Sequence, residues 1–276
     1  LVRDTSPMAS RWTTAEENRY REELYELYVR QNKTIGEIGN LLGRHEKTIY
    51  DRLLRLGIPT ARDQKPKACN RRKDVRLPDY SPDLAEFIGI MLGDGCLTHF
   101  QAMVTLGTKE YDYVVYVQGL MQKLFNVQAT VMTNRKSGHH IVYIGSTAIT
   151  SWLQDMGLVF NKVAAQVGVP KWVFEKEEYM QRFLRGFFDT DGSVYALRFG
   201  IQLSFTNHSL PLLHALHSML ERLEYRPSKI SAWRIYVTRR DQVARFFQEV
   251  RPQNVKHQRR LDNFERRWWS GKHTTL

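Results

Sequence analysis

The stretch "FLRGFFDTDGSV", residues 183–194, starts with a helical apolar pattern and ends in two acids beside a glycine. A partial second copy, "FIGIMLGDGCL", occupies residues 87–97. Both copies run from apolar residues through a glycine to a final Asp-Gly pair. A carboxylate at the end of an apolar helix carries a negative charge, and we expect a positively charged partner such as a metal ion to balance it. The two copies therefore predict a duplicated structural unit whose functional carboxylates lie at the helix ends.

Gly89 and Gly186 stand at equivalent places, the same number of positions before Asp94 and Asp191. Glycine inside a helix costs about 1 kcal/mol relative to alanine, so a packing reason is expected. We predict that the two helices approach closely at these glycines and bring the two aspartates together. Like carboxylates repel, and the negative ends of the helices add to the repulsion. A divalent cation between the aspartates resolves this conflict.

The same succession of elements follows each motif. An alternating run, "AMVTLGT" (102–108) or "IQLSFTN" (201–207), leads into a helix. Two short strands, a third helix and a loop that contains a lysine come next. The strands are predicted in "VQATVMT" and "IVYIG" of the first half, and in "SKISA" and "RIYVT" of the second. The pattern indicates an α+β fold, a duplicated αββαββα unit with pseudo-two-fold symmetry.

Helices in such a unit cover one face of each sheet and leave the other open. The alternation turns Ile201, Leu203 and Phe205 inward, and likewise Val104 and Leu106. A polar, basic sheet face can lie in the major groove of DNA and contact base edges. The residues predicted to contact DNA from this part of the chain are Thr105, Arg198, Gln202, Ser204, Arg234 and Arg239.

Residues 12–58 predict a small all-α module in front of this unit. The segments "TIGEIGNLLG" (34–43) and "HEKTIYDRLLRLGI" (45–58) read as two short helices joined by a turn at Gly43, as in a helix-turn-helix. With the first helix predicted at residues 14–33, a three-helix packing module that binds nothing is the alternative. On the first interpretation, base edges are contacted by His45, Lys47, Thr48 and Arg52.

Residues 59–82 hold four prolines and few apolar residues, which predicts an extended basic linker. Its Arg71, Arg72 and Lys73 are candidate DNA contacts, either along a phosphate backbone or in a minor groove. A solvated tether is an equal alternative.

The formal net charge of +12 over 276 residues favours a polyanionic partner, with nucleic acid ahead of membrane. No apolar run is long enough for a membrane span, and the first residues do not resemble a signal peptide. Cys69 and Cys96 have no metal-binding or disulfide spacing. We therefore expect a nucleic-acid partner and a cytoplasmic or nucleoid-associated protein, or an organellar one in a eukaryote, but not a secreted one.

The motifs "FIGIMLGDG" and "LRGFFDTDG" resemble the two motifs of a single-chain LAGLIDADG homing endonuclease, with an N-terminal helix-turn-helix added. The resemblance covers about residues 83–265. It implies a monomer with repeats at 83–170 and 171–276, the second ending in a basic tail. One departure is that the sixth motif position is Leu92 in the first copy and Asp189 in the second.

The resemblance also implies roles for particular residues. Asp94 and Asp191 would bind Mg²⁺, or another divalent cation such as Mn²⁺, helped by the carbonyl groups of Gly93 and Thr190. Lys162 and Lys256 are the implied basic residues of the active site, which polarise water or stabilise the phosphorane. Asn207, and Thr108 in the first half, are the implied polar residues that organise water. Ordinary phosphate contact by the two lysines stays an equal alternative.

The function expected from this resemblance is a site-specific, Mg²⁺-dependent DNA endonuclease that makes a double-strand break in a long target, as in intron homing. Two alternatives use the same scaffold: a non-cleaving DNA-binding transcription regulator and an RNA maturase. Relatives that act as regulators have typically lost the acids, so the retention of Asp94 and Asp191 favours the nuclease.

Overall fold

The structure is a computed structural model that describes residues 14–31, 33–58, 60, 75–134, 138–197 and 200–272. It divides into two compact units between residues 69 and 70, and each is described by itself. Four of the expected DNA contacts, Arg71, Arg72, Lys73 and Arg198, lie outside the described residues.

The N-terminal unit consists of short helices around a small core. Its elements are α1 (Thr14–Tyr25), a π-helical turn (Glu26–Arg30), α2 (Ile35–Leu41) and α3 (Glu46–Arg55). Leu24, Ile38 and Ile49 are fully buried between them. Helix α2 starts with a capping box, in which the backbone N–H of Glu37 donates to the Thr34 hydroxyl at 3.2 Å. The predicted N-terminal helices are confirmed.

The second unit contains two repeats in succession. The first repeat comprises α4 (Pro82–Leu92), β1 (Gly95–Leu97), β2 (Gln101–Gly107), α5 (Tyr111–Phe125), β3 (Thr130–Asn134), β4 (His139–Gly145) and α6 (Thr147–Asp155). A 3₁₀ turn (Lys171–Glu175) leads to the second, which comprises α7 (Glu177–Asp191), β5 (Gly192–Leu197), β6 (Gly200–Thr206), α8 (Leu210–Arg222), β7 (Arg234–Val237), α9 (Arg240–Glu249) and α10 (Val255–Lys272). The α+β fold with a duplicated unit is confirmed.

Each repeat has its own antiparallel sheet. The strand order is β1-β2-β4-β3 in the first and β5-β6-β7 in the second. The strand predicted in "SKISA" (228–232) is wrong, because among these residues only Ser231 forms a bridge, to Arg234. The Ser228 hydroxyl accepts the Tyr236 N–H at 3.0 Å, so a side chain takes the place of a strand carbonyl.

Helices α4 and α7 pack against each other at the two motif glycines. A Cβ atom added at Gly89 would lie 2.3 Å from the carbonyl oxygen of Phe183. One added at Gly186 would lie 2.1 Å from the carbonyl oxygen of Glu86. Backbone meets backbone at both points, so neither position has room for a side chain. The predicted close approach of the two helices is confirmed.

The sheets follow the predicted alternation on their covered faces. Val104, Leu106, Ile201, Leu203 and Phe205 are all at most 2% exposed. They pack under the helices as one continuous core. Within the described residues, no helix combines the length and the apolar character needed to cross a membrane.

Candidate active site

The two motif aspartates meet where α4 and α7 end. Asp191 is the last residue of α7, and Asp94 follows Gly93, the residue that caps α4. A Cβ atom added at Gly93 would lie 3.6 Å from the carboxyl carbon of Asp191 and 1.9 Å from Oγ1 of Thr190. The Thr190 hydroxyl is itself turned back into α7, where it donates to the Gly186 carbonyl at 3.1 Å. Glycine at position 93 thus allows the two helix ends to touch.

The carboxyl groups of this pair are poorly solvated. Burial raises the pKa of Asp191 to about 6, and the neighbouring charge of Asp94 adds to the rise. Burial also raises the pKa of Asp94, against the opposing charges of Lys256 and Lys162. Charge repulsion between two desolvated carboxylates is what a bound cation removes.

Lys162 reaches into the C-terminal end of α4. Its Nζ donates to the carbonyl oxygen of Met91 at 3.0 Å, to that of Leu92 at 3.2 Å and to that of Gly93. Burial lowers the pKa of this ammonium, while the charges of Asp191 and Asp94 oppose that effect. The Gly93 carbonyl, expected as a metal ligand, therefore accepts a lysine in this structure.

Lys256 is bound differently from Lys162. Its Nζ lies 2.8 Å from Oε1 of Glu110, a residue of the first repeat. Asn254 Nδ2 donates to the same oxygen at 2.6 Å, and the Gly107 N–H donates to Oε2 at 2.7 Å. Burial acts to raise the pKa of Glu110, but the hydrogen bonds from Lys256 and Asn254 outweigh it and lower the pKa.

Sequence reasoning missed Glu110. It lies outside both motifs, at the residue that precedes α5. Ser209 holds the equivalent place before α8, where its hydroxyl caps the helix. An acid where the other repeat has an ordinary capping residue is the one sequence signal that distinguishes Glu110.

Asp189, the acid noted as a departure at the sixth motif position, supports the Lys256 loop. It is fully buried, and its carboxylate accepts the backbone N–H groups of Gln253 at 2.8 Å and Asn254 at 3.0 Å. Burial raises the pKa of Asp189 to about 7, and these two donors oppose the rise. The first repeat has Leu92 at this position, so the two halves hold their lysine loops by different contacts.

Asn207 contacts the site directly, whereas Thr108 does not have an equivalent contact. Asn207 Nδ2 donates to Oδ2 of Asp191 at 3.0 Å, and its Oδ1 accepts the Ser209 N–H at 2.9 Å. Thr108 is exposed and lines a pocket of about 540 Å³ together with Glu110 and Lys256.

The donor set fits a divalent cation that shares its coordination with another molecule. Within the part of the chain that the structure describes, no group of three or more Asp, Glu, His or Cys side chains could hold a metal alone. The site therefore offers the two carboxylates of Asp94 and Asp191. Mg²⁺ is commonly bound by one or two carboxylates together with phosphate oxygens and water. Asp94 and Asp191 would hold the ion, and a bound phosphate would complete its shell.

The predicted DNA-contacting residues of the sheets differ in exposure. Thr105, Arg234 and Arg239 are exposed, and Gln202 is half-buried. Ser204 is only 1% exposed, so the prediction that it faces outward is wrong. Its cross-strand neighbours are Ser193 and Tyr236, and its hydroxyl finds no hydrogen-bond partner among the described residues.

The predicted base-reading residues of the N-terminal unit are partly engaged within that unit. His45 precedes α3 and caps it, since its Nδ1 accepts the Lys47 N–H at 3.2 Å. The Arg52 guanidinium lies over the ring of Tyr20, 5.8 Å from its centroid. Lys47 is exposed and Thr48 is half-buried. Of the four, His45 and Lys47 are the exposed residues.

Two family models match the second unit. Residues 178–251 match the LAGLIDADG-like domain, and residues 85–164 match the WhiA LAGLIDADG-like domain. Among curated proteins, the replication factor C small subunit of Methanocaldococcus jannaschii is 25% identical over 222 residues, which are 76% of this chain and 11% of that protein. An uncharacterized protein of the same organism is 31% identical over 101 residues, 36% of this chain and 37% of that protein. The chain thus spans about a tenth and about a third of these two relatives.

Two solved structures are similar to this chain at a low level. The N-terminal LAGLIDADG domain of DUF199/WhiA has a TM-score of 0.44 at 14% identity and covers 63% of this chain and 86% of its own. The homing endonuclease I-DmoI in complex with DNA and Mn has a TM-score of 0.43 at 14% identity and covers 61% and 96%. Likeness at this level carries no information on activity. The family matches, together with the paired helices and the two sheets, identify residues 85–164 and 178–251 as two LAGLIDADG-like domains in one chain.

Proposed function

We propose that this chain is a site-specific DNA endonuclease that hydrolyses phosphodiester bonds with a divalent cation, Mg²⁺ or Mn²⁺. The observation that carries the proposal is the convergence of Asp94 and Asp191 at the helix ends, where burial raises the pKa of both carboxyl groups and the charge of Asp94 raises that of Asp191 further. A fold that needed only to bind DNA would gain nothing from this pair. We further propose double-stranded DNA as the partner and a monomer as the active state.

The bound cation would activate water and neutralise charge on the leaving oxygen. Asp94 and Asp191 would provide the carboxylates that hold the cation. Each carboxylate would serve the cleavage of one DNA strand. Asn207 would orient the carboxylate of Asp191 through the hydrogen bond from its amide to Oδ2. Lys256, held by Glu110, would contribute positive charge beside the phosphate, where charge develops in the transition state.

A non-cleaving DNA-binding regulator is the second candidate. It is favoured by the match of residues 85–164 to the WhiA LAGLIDADG-like domain. On this reading the exposed basic residues bind DNA, and the aspartate pair is a vestige of the fold.

A cleavage selection separates the two candidates. Plasmids with random inserts are incubated with the full chain in Mg²⁺ or in EDTA, and linear products are sequenced at their ends. The nuclease predicts a unique double-strand break that needs Mg²⁺. The variant Asp94→Asn with Asp191→Asn should lose cleavage by at least about a thousandfold and still bind the selected duplex.

Asp155→Asn is the matched control, since Asp155 is an exposed acid at the C-terminal end of α6. It should cut as the wild type does. Full cutting by the double variant would refute the proposed site. Enrichment of a bound sequence without any cut, with Mg²⁺ and with Mn²⁺, would establish the regulator instead.

A further inference from the structure

A strained two-residue turn precedes β7. The Ser231 and Arg234 backbones exchange two N–H···O hydrogen bonds, each of 3.0 Å. The two residues between them, Ala232 with φ +47° and Trp233 with φ +63°, both have left-handed backbone conformations. Hairpin turns of this kind strongly favour Asn-Gly or Gly-Gly, because a side chain other than Asn or Asp is disfavoured at positive φ. Ala-Trp is therefore an unfavourable choice for the backbone.

Core packing does not account for this tryptophan. Trp233 is 41% exposed, and its ring lies tilted against His208, 5.5 Å between centroids. A large aromatic side chain at a strained and exposed position indicates a role outside the fold. Strained residues of this kind cluster at functional sites, and the inference runs from the observed strain to the role.

The turn is tied directly to the candidate metal site. The carbonyl oxygen of Trp233 accepts the backbone N–H of Asn207 at 3.2 Å. The Asn207 side chain in turn donates to Oδ2 of Asp191 at 3.0 Å. Asn207 therefore links the backbone of the tryptophan to the carboxylate proposed to hold the cation.

Charge on the same hairpin favours a polyanion as the partner. Lys229, Arg234 and Arg239 are exposed in the segment that leads into and out of β7. An exposed aromatic side chain and exposed basic side chains in one segment are the combination by which proteins stack on nucleic-acid bases while they hold the phosphates. Apolar side chains of comparable size also insert between base pairs and partly unstack them.

We propose that Trp233 stacks on a DNA base at the step next to the phosphate that Asp191 would serve. The proposal rests on the proposed function for its partner, duplex DNA, and it does not require cleavage. The strained turn before β7 places the ring of Trp233 at that base step.

The test uses the opposite effects that this proposal predicts for stability and for binding. In the full chain, Ala232→Asn with Trp233→Gly installs the turn sequence that the backbone prefers, so the melting temperature should rise. The same variant should bind DNA about tenfold more weakly, the order of magnitude for the loss of one stacked base. Trp233→Phe should retain most of the affinity, and Val115→Ala, which trims an exposed apolar side chain on α5, should change neither quantity.

Affinity is measured in EDTA by fluorescence anisotropy, with a random-sequence duplex and with a duplex enriched by selection on the wild-type chain. In the enriched duplex, 2-aminopurine at successive positions reports the unstacked step, and its fluorescence should rise with wild type and not with the double variant. A double variant that is more stable than wild type and binds both duplexes equally well overturns the proposal. The proposed nuclease is judged separately by wild-type cutting in Mg²⁺, so either idea can fail alone.

Discussion

Lys256 of the second repeat is held by Glu110 of the first, with 2.8 Å between Nζ and Oε1. The corresponding lysine of the first repeat, Lys162, caps the carbonyl groups at the end of α4 within its own repeat. The pseudo-symmetric fold therefore carries an asymmetric site. The two DNA strands would meet different lysine environments.

Glu110→Gln should slow cleavage on one strand more than on the other. The change removes the ion pair and leaves Lys256 free to leave the site, and a displacement of about 1 Å can cost about a hundredfold in rate. Strand-specific end labels measure the two rates. Glu249→Gln, which breaks the partly exposed ion pair with Arg245, is the control and should leave both rates unchanged. Equal slowing of both strands would contradict the assignment.

The glycines of the helix pair should not tolerate alanine. Gly89→Ala or Gly186→Ala forces a methyl group into backbone 2.3 Å or 2.1 Å away, and should lower the free energy of unfolding by about 3 kcal/mol or more. Gly119→Ala, on α5, is the matched control, because its added methyl meets no described atom within 4 Å. It should raise the free energy of unfolding by about 0.5–1 kcal/mol. Urea denaturation distinguishes these outcomes, and equal effects would contradict the close packing.

Asp191 should make the metal-free protein less stable as the pH rises. Burial and Asp94 raise its pKa from 3.8 to about 6, so the native state keeps a proton that the unfolded state releases in this window. The free energy of unfolding in EDTA should therefore fall between those pH values. Asp191→Asn should be more stable than wild type at about pH 8, by on the order of 1–3 kcal/mol, and no different near pH 4.

The stability of the wild type and of Asp191→Asn should also be compared with Mg²⁺ added. A bound cation stabilises only the native state, so it should raise the melting temperature of the wild type at about pH 8. Asp191→Asn should respond much less. Greater stability of the wild type than of Asp191→Asn in EDTA at that pH would contradict the repulsion between the two carboxylates.

Replacing the two lysines should have unequal effects on stability. Lys162→Met leaves three helix-end carbonyl groups without their donor and should lower the free energy of unfolding by about 1–3 kcal/mol. Lys256→Met should cost less, since Glu110 still accepts hydrogen bonds from Asn254 and Gly107. Thermal denaturation of both variants measures the difference. A larger loss for Lys256→Met would refute the capping role of Lys162.

Much of the fold was predictable from short-range patterns. The covered faces of β2 and β6 follow from strict alternation, and the helix pair follows from Gly89 and Gly186 at equivalent places before an acid. The failures have local causes as well. Ser204 alternates outward and is nevertheless buried, and at the start of segment 228–232 the Ser228 hydroxyl, not its carbonyl, accepts the Tyr236 N–H.

The amino-acid pattern was sufficient for the duplicated architecture and for the two aspartates, because period, glycine spacing and a repeated Asp-Gly are properties of neighbouring residues. Contacts between distant segments were beyond its reach: Glu110 with Lys256, Asp189 with residues 253 and 254, and the Trp233 turn with Asn207. Each of these depends on how separate elements approach in space, since a carboxylate or an amide can find many partners along the chain. Packing of the separate elements in the folded chain, within the second repeat and between the two repeats, selects one of these partners.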